Sequence, residues 1–160
     1  MTLQATSAQI NGRPNVVHLL GNLIQFKAVG AATGNAYSLV EVTTAPGAGT
    51  PPHFQKEDDE AFFVLEGSYE FMHNGQTIKG VPGTYVFIKR GEPHAFRNTG
   101  TAPAKMLIIN SPGGLHENFF LEAGDPIAVG AGFPAPAAPD MPRLGAAAAR
   151  YGIEFLPPQA

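Results

Sequence analysis

The sequence predicts an all-β barrel or sandwich with short helices confined to its C-terminal part. Glycine and proline are abundant, 19 and 15 of 160 residues, which suits a chain of many turns and few long helices. Short apolar segments recur about every 8–12 residues, each closed by a Gly, Pro or Asn cluster, as in sandwiches and barrels. Apolar residues make up 44% and charged residues 14%, so the chain has the material for one packed core and does not read as disordered.

The elements follow in order. Segments 16–20 and 23–29 read as strands joined by a hairpin at Gly21-Asn22. Segment 37–44 is β-rich and stops at Ala45-Pro46-Gly47. Segment 60–65 carries Phe62, Phe63 and Val64 and ends before Gly67. Segments 68–72 and 76–79 flank Asn74-Gly75, a pair suited to the positive φ angles of a type I′ turn. Segment 84–88 follows Pro82-Gly83, and segments 94–98 and 105–110 flank Gly100. Helix is expected only beyond residue 112. A short one over 114–122 would cover one barrel mouth. A second over 140–151 has Asp140 as N-cap, Pro142 in the first turn, alanines at 146–149, Arg150 in the last turn and Gly152 as its stop. The Ala/Pro/Gly-rich stretch 126–139 joins them, and Phe155 and Leu156 dock the tail. The expected organisation is one domain over 1–160, with a core barrel over about 35–112, an N-terminal β arm over 1–34 and a helical tail over 113–160.

Composition narrows the functional classes. A formal net charge of −3 offers no basic surface for nucleic acid or an anionic membrane. No apolar run approaches the roughly 20 residues of a membrane helix. The first residues lack a basic region followed by an apolar one, so a cytoplasmic location is expected. There is no cysteine, which leaves nitrogen and oxygen as the donors for any metal. No glycine-rich phosphate loop opens a helix, and Ser111 has no nucleophile-elbow context.

Strand alternation points to one cluster. His53 and Gln55 share a face, as do Glu60 and Phe62, and as do His94, Phe96 and Asn98. Barrel closure would gather His53, Gln55, Glu60 and His94 around one divalent ion, with one side left open to water or substrate. The plainer reading is a hydrogen-bonded polar core. Gln55 either ligates through its amide oxygen or hydrogen-bonds a neighbour. Glu60 has a second possible role as catalytic general base. Phe62 and Phe96 are expected to wall the substrate pocket. Elsewhere, Lys56, Glu57, Asp58 and Asp59 read as a solvated loop, and Lys89 and Arg90 as a solvated strand end. His18 reads as structural or exposed, His73 as a surface residue, and His116 as a lid-helix residue whose contact with the pocket is open.

The spacing around these residues adds a family resemblance. Gly47 is followed after five residues by His53, after one by Gln55, after four by Glu60 and after six by Gly67. Later, Gly83 is followed after five by Lys89, after one by Gly91, after two by His94 and after three by Asn98. Together these resemble the two signature motifs of the cupin superfamily, over roughly residues 35–112. Gln55 stands where the family has a second His, and Lys89 where it has Pro. The stretch from Asn110 through Phe120 is similar to small single-domain cupins of the quercetin 2,3-dioxygenase type. The resemblance implies a double-stranded β-helix, or jelly-roll barrel, and one divalent ion with Mn, Fe, Ni or Co preferred and Zn allowed. It also implies a small-molecule substrate of enol, phenol or flavonol type, a dioxygenase reaction and a homodimer. Alternatives are a redox-neutral isomerase, cyclase or lyase, and a non-catalytic binding module.

Overall fold

The structure is a computed structural model, and it describes residues 14–157. The chain opens with β1 (Val16–Leu19), β2 (Asn22–Ala28), a single turn of helix α1 (Gly30–Thr33) and β3 (Ser38–Thr44). Next come β4 (His53–Gln55), β5 (Asp59–Glu66), β6 (Tyr69–His73), β7 (Gln76–Gly80), β8 (Tyr85–Ile88), β9 (His94–Asn98) and β10 (Ala104–Ser111). The remainder is α2 (His116–Ala123), β11 (Asp125–Pro126), α3 (Met141–Arg150) and β12 (Ile153–Phe155). A seven-stranded sheet has the order β11-β1-β2-β3-β10-β5-β8, and a five-stranded sheet the order β12-β4-β9-β6-β7. The pairings within both are antiparallel, and the two sheets form the jelly roll that the resemblance implies.

Alternation builds the core. β3 runs buried, half-buried, buried along its length, and Val40 and Val42 point inward. Phe62, Val64, Met106 and Ile108 extend this inner face on β5 and β10. Against it stand Tyr69, Phe71 and Phe96, and the rings of Phe62 and Phe71 lie 5.2 Å apart. Fully burying one such side chain stabilises the fold by about 1.5–3 kcal/mol relative to leaving it exposed. The Tyr69 hydroxyl is satisfied inside this core by Thr44 Oγ1 at 3.0 Å.

Two features of this frame position the site. β4 lies between β12 and β9, with His53 opposite His94. Gly91, at φ 83°, turns the chain before β9 so that its N–H donates to the Gln55 carbonyl at 2.7 Å. Gly91 thereby pins the strand that bears His53 to the approach to the strand that bears His94.

The structure differs from the sequence expectation in three places. The first hairpin turns at Leu20-Gly21, both at positive φ, and Asn22 already belongs to β2. Asn22 replaces the missing turn chemistry by donating from its amide to the carbonyls of Leu19 and Leu20. A helical turn precedes residue 112, at α1. The tail is not purely helical, because residues 153–155 form a strand against β4. The arm residues of β1 and β2 join the chain's own large sheet. The Asn74-Gly75 turn agrees with expectation, with φ of 49° and 77°, and so does α3, whose Asp140 side chain accepts from the Arg143 N–H at 3.1 Å.

Candidate metal centre

His53, Glu60 and His94 converge inside the barrel, with one potential ligand atom from each all within 4.8 Å of one another. His53 and Gln55 arrive together because β4 presents alternate residues inward. Glu60 enters from β5, next to Asn110 on β10. His94 begins β9. All four of these side chains are buried, with residue exposures of 2–6%.

Each imidazole is anchored by the chain. His53 Nδ1 lies 2.9 Å from the Pro51 carbonyl, and His94 Nδ1 lies 2.9 Å from the Glu92 carbonyl. A carbonyl only accepts, so Nδ1 carries a proton in both rings, and at His94 the Nε2 atom faces the Glu60 carboxylate at a distance that needs a proton or a cation between them. His94 Nε2 lies 2.7 Å from Glu60 Oε2. The Gln55 amide nitrogen donates to the same oxygen at 2.9 Å.

Electrostatics suit a cation. Burial, reinforced by His94, lowers the His53 pKa to about 4, so its ring is neutral at pH 7. Burial pushes the Glu60 carboxyl up, but His116, His94 and His53 outweigh it and hold the group below its ordinary range. An ionised carboxylate beside a neutral, oriented imidazole is the donor set that a divalent ion requires.

A narrow cavity of about 40 Å³ reaches this cluster. His53, Glu60 and His116 form its polar end. Its walls include Leu19 and Leu20 from the first hairpin, Phe119 and Phe120 from α2, and Ile153 and Phe155 from β12. Phe96 lines it, whereas Phe62 does not. Phe62 packs one layer deeper, edge-on to His94 at 6.1 Å and against Phe71. It supports the His94 ring and does not face the cavity.

Residues that the sequence reading set aside also belong here. Asp58 was expected in a solvated loop, yet it is 1% exposed. The Asn110 amide donates to its Oδ2 at 2.9 Å, and His116 Nδ1 stands 3.6 Å from the same oxygen. Burial would lower the His116 pKa, but Glu60 and Asp58 raise it. Asp59 and Arg90 remain at the surface, joined by two side-chain contacts of 3.0 and 3.1 Å. His73 is half-buried and pairs with Glu92 at 2.7 Å. His18 is half-buried in β1, outside the cluster. The one sequence signal for His116 was its place three and four residues before Phe119 and Phe120, on a common helix face.

Comparison with known proteins agrees with this architecture. Residues 40–110 match the cupin domain model. The tetracenomycin polyketide synthase protein TcmJ of Streptomyces glaucescens is 29% identical over 90 residues, 56% of this chain and 58% of that protein. Quercetin 2,3-dioxygenase of Bacillus subtilis is 31% identical over 70 residues, 44% of this chain and 21% of the enzyme. The chain thus spans little more than half of one curated relative and a fifth of the other. Among solved structures, the polyketide cyclase RemF of Streptomyces resistomycificus superposes with a TM-score of 0.52 at 26% identity, over 69% of this chain and 78% of that one. No described helix is long and apolar enough to cross a membrane.

Proposed function

We propose that the protein is a mononuclear metalloenzyme that activates a small enol, phenol or flavonol-like hydroxy-ketone for attack by dioxygen. The observation that carries this reading is the convergence of His53, Glu60 and His94 while Gln55 is turned as a donor to Glu60. Two imidazoles and one carboxylate are the donor composition of open non-haem iron sites. Once bound, Fe or a related ion such as Mn, Ni or Co would polarise the substrate oxygen and supply redox chemistry.

The chain's own residues prepare the site. The Pro51 and Glu92 carbonyls hold the two rings in one tautomer. Gln55 orients the Glu60 carboxylate. The depressed pKa of Glu60 favours its role as ligand over its role as general base, because a weak base takes protons poorly. The apolar walls from α2 and β12 keep water away from the reacting end.

Similarity to quercetin 2,3-dioxygenase supports the oxygen-dependent reaction. A second reading, redox-neutral cyclisation of a polyketide-like substrate, is supported by the longer alignments with TcmJ and RemF. One experiment separates them. Protein loaded with Fe or Mn is incubated with flavonols and catechols in an oxygen electrode. Oxygen uptake with substrate loss supports the dioxygenase. Product formation under nitrogen with Zn-loaded protein moves the conclusion to the second reading. Turnover in neither condition points to a binding module.

A further inference from the structure

We infer that Thr50 is a ligand-recognition residue of this cavity, and that the ligand carries a further oxygen, besides those at the metal end, for its hydroxyl. This deepens the proposed metal-centred binding and rests on it.

The argument is one of elimination. Outside the His53–Glu60–His94 group, the polar side chains that line the cavity are Asn22, Thr50 and His116. Asn22 is committed. Its amide nitrogen donates to the carbonyls of Leu19, Leu20 and Gly49, and its oxygen accepts from Thr44 Oγ1. His116 faces Gln55, Asp58 and Glu60, at 3.4, 3.6 and 3.7 Å. Thr50 Oγ1 is different, since it is buried and has no hydrogen-bond partner. Its backbone is fixed by an N–H donated to the Phe96 carbonyl at 3.0 Å, so the side chain is held at the wall.

A buried hydroxyl without a partner costs the folded state free energy. Valine has nearly the same shape and would avoid that cost. The hydroxyl is therefore explained by a partner that comes and goes with the ligand. A site built to hydrogen-bond an oxygen rejects the analogue that lacks it more strongly than an apolar wall rejects an extra atom. The ligand class is then a compact, mostly apolar hydroxy-enone or phenol with one oxygen pair at the metal end and a further hydroxyl or carbonyl at Thr50.

The test uses a matched pair of metal-chelating probes, kojic acid and allomaltol, which differ by one hydroxyl. Binding to the full chain loaded with Mn is followed by calorimetry for wild type, Thr50→Val and Thr50→Ser. Wild type is expected to prefer kojic acid by about tenfold, the effect of one good hydrogen bond. Thr50→Val should erase that preference and Thr50→Ser should keep it. The metal-free Thr50→Val protein should melt at or above the wild-type temperature, which a structural hydroxyl would not permit. A lower melting temperature for Thr50→Val, or equal binding of both probes by wild type, overturns the inference while leaving the metal centre intact. Binding of neither probe overturns the ligand class. Failure of wild type to take up Mn instead sinks the proposed function, and that is measured separately by elemental analysis.

Discussion

His53 and Glu60 give the metal-free protein a stability that depends on pH. The unfolded His53 has a pKa of 6.5 and the folded one about 4, so acid protonates the unfolded chain first. Stability from this residue is complete above pH 6.5 and lost as pH falls toward 4, by roughly 3 kcal/mol. The depressed Glu60 acts in the same direction at lower pH. His116, whose pKa is raised, acts oppositely, and its stabilisation is lost as pH rises through its folded value. Urea midpoints of the metal-free protein are expected to drop between pH 7 and pH 5, and His53→Asn should flatten that slope. Metal uptake offers a second check. His94→Ala and Glu60→Gln should abolish stoichiometric Mn binding, whereas Gln55→Ala should weaken it about 10–100-fold, as for other residues that orient a ligand. Gln55→His should shift the Zn-to-Mn preference toward Zn, because imidazole is a stronger donor than an amide to the later metals. The triad was legible because period-two alternation and short spacing bring its members to one face. Asp58 was not, because Asn110 reaches it from a strand far along the chain and removes it from an otherwise solvated acidic run.

At the scale of elements, the roof of the cavity is a small C-terminal assembly. Arg143 of α3 closes the C-terminal end of α2, donating to the Glu122 carbonyl at 2.9 Å and also to the Gly124 carbonyl. A cation at that end complements the helix dipole. Glu117 ties the start of α2 to the barrel by accepting from the N–H groups of Gly30 and Gly114, at 2.8 and 2.6 Å. β12 then pairs with the strand carrying His53, and its Ile153 is buried in the core at 5% exposure. Ile153→Ala is expected to cost about 2–4 kcal/mol in denaturant melts, the usual range for a buried isoleucine. It should also raise the Mn dissociation constant by loosening β4. α3 was readable from Asp140, Pro142 and Gly152, which act locally. β12 was not, because three residues of strand carry little periodicity and their pairing partner lies on β4.

For the whole molecule, the outer face of the large sheet matters. Phe63, Tyr85, Phe87 and Ile109 are 38–61% exposed there, and Phe63 lies opposite Tyr85 on neighbouring strands. β8 ends this sheet as an edge strand. Such a patch fits the expected homodimer. Light scattering should return twice the chain mass, and Phe87→Lys should return the single-chain mass with the metal centre unaffected. The barrel itself was legible because turn chemistry and strand alternation act at every step, whereas the cavity roof depends on long-range docking. That docking links assembly to the order of synthesis. Until residues 153–155 have left the ribosome, the strand bearing His53 has an open edge and the ligand space has a missing wall. A nascent chain paused before that point would leave the cavity unwalled and offer the edge to a neighbouring chain, so the emergence of β12 completes the sheet and the cavity together.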